Sequence, residues 1–275
     1  MTEVQAVVSD MDGTLLGDNK LIHEQDIGTI RRLRQRGVKV LLATGRHLTL
    51  VDLYAQQLGG VDLILSSNGA NLYDPLAGRY VKERFFTPAQ LERVQEFARW
   101  SGVLFFAYTR DFACYLRQDE RINIAEGSFT MGDGPDFGHL VKIMDEVPDV
   151  LEYPVVKVIF PQLDKAHLPR LEEDLGDLNL ELYRRDIPVA EIGPTGGGKG
   201  PALAEAAQLL GFDLRHTIAM GDSFNDLSML RAVGHPVVPV NGITQALELA
   251  EYRCAHNDHA PLTDAVRHYC PQLLD

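Results

Sequence analysis

The stretch AVVSDMDGT, residues 6–14, places two carboxylates two residues apart where an apolar run gives out. Ala6, Val7 and Val8 read as a buried strand, with Asp10, Asp12 and Gly13 at its polar end. Extended residues two apart share a face, so Asp10 and Asp12 are expected to project together while Met11 turns to the core. Two neighbouring carboxylates repel unless a cation stabilises them. Mg²⁺ suits the task, because it takes hard oxygen ligands and commonly uses one or two carboxylates with water and a substrate phosphate. The same text would also make a strand followed by an Asx turn. Recurrence of matching groups at other strand ends is what separates the two readings.

Such groups recur. Thr44, Gly45 and Arg46 close a second apolar run, where a hydroxyl and successive backbone N–H groups can hold phosphate oxygens. Taken alone, these three residues read better as an ordinary strand-to-helix turn. Lys199 lies in GPTGGGKG, residues 193–200, which nearly matches the P-loop pattern and follows a strand-like segment. Gly200 stands where that pattern needs the hydroxyl that reaches Mg²⁺, so the loop reads better as a flexible return delivering one positive charge. In the last group, Asp222 falls at a strand end and can complete a metal site. Asn225 and Asp226 follow on the same loop, and Asp226 is one helical turn on. Ser223 with Asp226 is also a helix-capping arrangement, and capping would fix the loop that carries Asp222.

These stations need elements to hold them. Helix-period runs at 25–35 and 48–58 alternate with apolar runs at 38–43 and 61–65, the last ending in Ser66, Ser67, Asn68 and Gly69. Alternating strands and helices specify a parallel sheet covered by helices, with ligands at the carboxyl ends of the strands. The pattern resumes after Gly200, with helices at 200–210, 225–233 and 243–250 and strands at 217–220, 237–240 and 252–255. Between them the order is different. A helix at 88–102, strands at 103–108 and 114–117, a Gly-rich loop at 127–138, a strand at 153–160, a helix at 164–175 and a strand at 178–184 predict an inserted α+β domain. The fold class expected is therefore α/β, a Rossmann-like parallel sheet core with helices on both faces. The discontinuous core spans 1–81 and 193–275, and the α+β insertion 82–192.

The 275 residues, 45% hydrophobic and 24% charged, suffice for one large or two moderate cores and exclude wholesale disorder. A net charge of −13 argues against broad binding of nucleic acid or anionic membranes, which need clustered Lys and Arg. Cys114, Cys254 and Cys270 show no CxxC spacing, and no run has the length or flanks of a membrane span or leader. A soluble cytoplasmic protein with no obligate protein partner is expected. Cys254, His256 and His259 lack a fourth ligand for zinc at usable spacing. Phe105, Phe106 and Tyr108 read as packing rather than a base-stacking platform. Arg110, Arg117, Arg184 and Arg185 are either substrate-facing or solvated.

In order and content, DMDGT, TGR, GKG and GDSFND resemble the haloacid dehalogenase superfamily of phosphohydrolases. The flanking DGTLL, ATGR, SSNGA and GDSFNDLSML resemble its Cof-type branch, which carries a large α+β cap and includes sugar-phosphate phosphatases. The resemblance covers about residues 4–71 and 191–257. It implies Asp10 as nucleophile, Asp12 as general acid and base, and Mg²⁺ held by Asp10, Asp222 and the backbone carbonyl of Asp12. It further implies phosphoryl binding by Thr44, Gly45 and Asn225, charge neutralisation by Lys199, and a supporting role for Asp226, with Arg46 beside them. The expected function is hydrolysis of small phosphate esters, most of all sugar phosphates, through an aspartyl phosphate. A phosphomutase and a non-catalytic phosphate-ester sensor are the alternatives. Two features depart from the family pattern. His23 replaces the usual Ser or Thr at a helix entry, which predicts a weaker cap, and residues 257–261 read NDHAP in place of Asn-x-x-Asp-Gly, which puts that loop's shape in question.

Overall fold

A computed structural model describes residues 4–116, 141–144, 152–184 and 186–274. In chain order it contains β1 (Ala6–Ser9), α1 (Glu24–Gln35), β2 (Lys39–Ala43), α2 (Asp52–Gln57), β3 (Leu63–Ser66), β4 (Asn71–Asp74) and β5 (Arg79–Glu83). There follow α3 (Pro88–Ser101), β6 (Phe106–Thr109), β7 (Ala113–Leu116), β8 (Val141–Met144), β9 (Val155–Phe160), α4 (Leu168–Leu175), β10 (Asn179–Tyr183) and β11 (Val189–Gly193). The described chain closes with α5 (Lys199–Leu210), β12 (Thr217–Met220), α6 (Leu227–Leu230), β13 (His235–Pro239), α7 (Thr244–Leu247), β14 (Tyr252–Cys254) and α8 (Pro261–Tyr269). Two compact units result, one from described residues of Met1–Lys82 and Gly198–Asp275, the other from those between 83 and 197.

The first unit is built on one sheet, ordered β14-β13-β12-β1-β2-β3-β4-β5. Its strands run parallel from β14 to β3, and β4 turns antiparallel. β1 lies between β2 and β12, with Val8 opposite Leu41 and Ala219, so its carboxyl end opens at the middle of the sheet. Ala6, Val8, Leu41, Ala43, Leu63 and Leu65 on one face pack against Ala202, Leu203, Ala206 and Ala207 of α5. The intervening Val7, Val40, Leu42 and Ile64 are equally buried, and α1 and α8 adjoin each other. Burial on both faces is why these strands read as continuous apolar runs rather than alternating ones.

The second unit carries a sheet ordered β10-β11-β9-β6-β7-β8, antiparallel except for the β7–β8 pair. Its core joins Phe105, Ala107, Val158, Phe160 and Ile192 of the sheet region to Leu91, Val94 and Phe97 of α3 and Leu171 and Leu175 of α4. Thr87 and Gln90 cap α3 reciprocally, and Gly102 ends it in the left-handed region. The Gly-rich loop at 127–138, Arg117 and Arg185 lie outside the described residues.

Several expectations need correction. The helix expected at 48–58 is a 3₁₀ turn at Leu48–Leu50 followed by the short α2. The helices expected at 225–233 and 243–250 shrink to α6 and α7. In all three the apolar residues needed for helical periodicity also suit tight turns packed on a sheet. The hairpin strands β4 and β5 were not expected, because β5 is mostly solvated and shows no apolar alternation. α8 was not expected either. Its entry residue Ala260 makes no side-chain cap, and its sign in the sequence is Pro261 at the first helical position. The α1 cap at the altered entry residue is made by His23, whose Nδ1 accepts the Gln25 backbone N–H at 3.2 Å.

Candidate active site

The polar ends of β1, β2, β3 and β12 lie at the carboxyl edge of the sheet. Asp10 follows β1 directly, its N–H donating to the Met220 carbonyl at 2.9 Å, and it is 5% exposed. β1 itself ends at Ser9, and the chain coils immediately, with Leu15 N–H donating to the Asp10 carbonyl and Leu16 N–H to that of Met11. The extended geometry that would have set Asp10 and Asp12 side by side is therefore lost, and the two carboxylates have different partners.

Lys199 opens α5 and is completely buried. Its Nζ donates to Asp10 Oδ1 and to Asp226 Oδ1, each at 2.7 Å. The other oxygen of Asp226 accepts the backbone N–H groups of Asp222 and Ser223 at 3.0 and 2.9 Å. Asp226 thus positions both the lysine and the loop, as the capping pattern suggested. Asp222 Oδ1 accepts the Thr14 hydroxyl at 2.7 Å. Gly13 lies against it, where a Cβ would fall 2.6 Å from Asp222 Oδ2. The P-loop resemblance dissolves at Gly200, whose absent Cβ would stand 2.6 Å from the Ser228 carbonyl. Close packing of α5 on α6 requires glycine at this position.

Asp12 faces a separate pair of cations. Arg46 Nε and Nη2 donate to its two oxygens at 2.6 and 2.7 Å, and Lys20 Nζ donates to Oδ1 at 3.0 Å. Thr44, 1% exposed, accepts the Arg46 N–H on its hydroxyl at 3.1 Å, and Gly45 lies between them. Asn225 turns its amide to Asn68, donating to Oδ1 at 3.0 Å. Asn68 sits in the left-handed region at φ 55°. Its N–H donates to the Thr44 carbonyl and its own carbonyl accepts from Gly198, so it ties three stations together. Asn68 was not singled out from the sequence, although a polar SSNG cluster ending a buried strand was the sign.

Electrostatics follow from burial and charge. Burial and the Asp226 charge hold the Asp10 carboxyl well above the usual range, with Lys199 opposing. Burial and Asp226 likewise push Asp222 up to about 6. Burial would raise Asp12 as well, but the hydrogen bonds and charge of Arg46, with Lys20, bring it down to about 2. Burial presses the Lys199 ammonium down, and the charges of Asp10 and Asp226 reverse this, leaving it above the ordinary lysine value.

One carboxylate oxygen each from Asp10, Asp222 and Asp226 lies within 4.8 Å of the others. Once ionised, the three carboxylates against the single ammonium of Lys199 leave two negative charges, and the donors are hard oxygens, so the set fits a divalent cation such as Mg²⁺. Asp226 is already committed through both oxygens, which favours Asp10 and Asp222 as ligands. The carboxylate of Asp12 is not part of this group. Cys254, His256 and His259 do not form a metal-binding cluster, the Asp group being the one found among the described residues.

The altered segment at 257–261 still braces the loop after β1. Asn257 Nδ2 donates to the Leu16 carbonyl at 3.0 Å, Asp258 Oδ1 accepts the Asp18 N–H at 2.8 Å, and Asn241 Nδ2 donates to the Gly13 carbonyl at 2.8 Å. The departure from the family pattern has one local cost: Ala260 is held at φ 51°. A left-handed non-glycine residue is strained by about 1–2 kcal/mol, while glycine loses about 0.5–1 kcal/mol in chain entropy. Ala260→Gly should therefore stabilise the protein by about 0.5–1 kcal/mol in urea unfolding. A lower stability would show that Ala260 is relaxed where it is.

In the second unit, Arg110 pairs with Glu83 at 2.9 Å and Arg184 with Glu172. No helix among the described residues is long and apolar enough to cross a membrane.

Known proteins resemble this chain over nearly its whole length. The chain is 26% identical to the 5-amino-6-(5-phospho-D-ribitylamino)uracil phosphatase of Bacillus subtilis, with 97% of this chain and 96% of the relative covered. It is 28% identical to the HMP-PP phosphatase of Shigella flexneri, with 98% and 95% covered. A solved haloacid dehalogenase-like hydrolase from B. subtilis shares the fold with a TM-score of 0.81 at 21% identity, over 96% of this chain and 99% of the other. Residues 7–266 match the family described as haloacid dehalogenase-like hydrolases, and the chain belongs to that family, in its Cof-type branch.

Proposed function

We propose that this protein is a Mg²⁺-dependent phosphatase of small phosphorylated metabolites, sugar phosphates foremost, acting through an aspartyl phosphate on Asp10. The observation that carries the reading is the buried Asp10 carboxylate held at 2.7 Å by Lys199 beside Asp222 and Asp226. Relatives named as phosphatases of a ribitylamino uracil phosphate and of HMP-PP support the substrate class.

In this mechanism a carboxylate oxygen of Asp10 attacks phosphorus and the ester P–O bond breaks, the leaving oxygen taking a proton from Asp12, which carries that proton once its pairing with Arg46 and Lys20 is loosened. Asp12 then takes a proton from water. That water attacks phosphorus, the P–O bond to Asp10 breaks, and inorganic phosphate leaves with Asp10 restored. Thr44 and Gly45 hold phosphoryl oxygens, Lys199 offsets their charge, and Asn225 with Asn68 keeps the phosphate-binding edge in place. Mg²⁺, when held by Asp10, Asp222 and the Asp12 carbonyl, supplies further charge neutralisation. The core carries this chemistry, and the segment 82–192 is assigned the choice of ester.

Phosphate release from a panel of esters with and without exhaustive chelation tests the reading. Release that depends on added Mg²⁺ is expected. Undiminished release with metal content verified as nil would exclude the metal, isomerised product in place of free phosphate would mean a mutase, and binding with no turnover would mean a sensor.

Stability should report the same site. Asp222 keeps its proton up to about pH 6 in the folded chain, against a usual carboxyl value of 3.8. Its contribution to stability is thus complete below about pH 4 and is lost as pH rises through about 6. Mg²⁺ bound to the ionised group should restore that loss. The rise in Tm on adding millimolar Mg²⁺ should therefore be clearly larger at pH 7.5 than at pH 5; equal shifts would detach Asp222 from the metal.

A further inference from the structure

In the proposed reaction Asp12 exchanges protons with the leaving oxygen and with water, yet both of its oxygens are engaged by Arg46 and Lys20. To carry a proton to a leaving oxygen this carboxylate, whose side chain is 37% exposed, has to weaken three charge-assisted hydrogen bonds, which are about twice as strong as neutral ones. The cations it leaves are a buried guanidinium and an ammonium on an anchored stretch of backbone. Arg46 is 5% exposed, with its guanidinium 5.3 Å from the Tyr54 ring centroid. The Tyr54 hydroxyl donates to the Lys20 carbonyl at 3.1 Å, and the Lys20 N–H to Gly17 at 2.9 Å, fixing that residue in the left-handed region at φ 66°. Arg46 Nη1 is buried and makes no hydrogen bond among the described residues.

A buried guanidinium stripped of its counter-charge costs several kcal/mol, so departure of Asp12 calls for a replacement anion. Among the described residues, Asp12 is the carboxylate ion-paired to both Arg46 and Lys20. The transferring phosphoryl is already assigned to Lys199, Thr44 and Gly45. A ligand can shift the Asp12 equilibrium only by its own differential interaction with the two states, and a neutral leaving group offers little. A planar guanidinium presenting parallel donors, with an ammonium beside it, matches a carboxylate or a phosphate.

Resting on the phosphatase reading, we propose that Arg46 and Lys20 form a receptor for a second anionic group on the leaving side of the ester, which Asp12 fills between turnovers. Within the sugar and other metabolite phosphates, the preferred substrates then carry a carboxylate or second phosphate in addition to the scissile phosphate, and the latch slows esters with neutral leaving groups by keeping Asp12 engaged.

Matched esters test this with Mg²⁺ present: 3-phosphoglycerate against glycerol 3-phosphate, which differ by one carboxylate, and fructose 1,6-bisphosphate against fructose 6-phosphate. In at least one pair kcat/KM should be about tenfold or more higher for the ester with the second anion, the factor that 1.4 kcal/mol confers. Lys20→Gln should bring that ratio toward one, and Lys20→Arg, which keeps the cation, should retain it. Ratios near one in both pairs for the unaltered protein would overturn the receptor while leaving the phosphatase reading intact, as would a Lys20→Gln variant that slows both members equally. Hydrolysis of no ester at all would overturn the phosphatase reading and the receptor with it.

Discussion

Asp10→Asn should abolish turnover of every phosphate ester, whereas Asp12→Asn should stop the reaction halfway. Asp10 is the carboxylate that Lys199 holds against Asp226, and an amide there is no nucleophile toward phosphorus. Asp12 contributes proton transfer, typically worth about 10² to 10⁴ in rate. An aryl leaving group departs readily without a proton, so Asp12→Asn should still form the aspartyl phosphate from an aryl phosphate. Water in the second step still needs a base. Rapid mixing should therefore show a burst of phenolate near one equivalent per enzyme followed by a near stall, with phosphate held on Asp10 and visible as added intact mass. Asp12→Asn also withdraws a charge from Arg46, so thermal unfolding must first establish that the variant is folded. Loss of aryl and alkyl turnover alike, without burst or added mass, would make Asp12 a partner of Arg46 and nothing more.

Lys199→Met should be the most damaging single change to the metal-free fold. Lys199 is fully buried and is the cation that separates Asp10 from Asp226. Removing one partner of a buried ion pair costs about 3–5 kcal/mol, a large share of the roughly 5–15 kcal/mol that holds a domain folded. Activity should fall at least as far as when one oxyanion-hole donor is removed, about 10²- to 10³-fold. If the loss arises from facing carboxylates, adding Asp226→Asn should recover part of the stability but none of the activity, and the two changes should be strongly non-additive in urea unfolding. A Lys199→Met protein as stable as the original without metal would mean that the carboxylates are neutral or solvated.

The strand-end stations were legible in the sequence for a physical reason. A parallel strand buried on both faces is a continuous apolar run, and any charge must wait for its end. Asp10, Thr44 and Asp222 stand where Val7–Val8, Leu41–Ala43 and Ile218–Met220 give out, and the helices between those runs announce the parallel order. Local text also carried the Ser223–Asp226 cap and the inserted α+β segment. It could not carry partnerships. Lys199 meets Asp10 across 189 positions, and Arg46 meets Asp12 across 34, because α5 and the turn after β2 both arrive at the same sheet edge. Strand alternation suggested that Asp10 and Asp12 act side by side. The coil that begins one residue after β1 separated them, giving one to a lysine and two carboxylates and the other to two cations. The partners of Asn68, together with α8 and the β4–β5 hairpin, escaped notice for a related reason. Their roles depend on which backbone groups are left to bond once the sheet is assembled, and that is decided by tertiary packing rather than by local pattern.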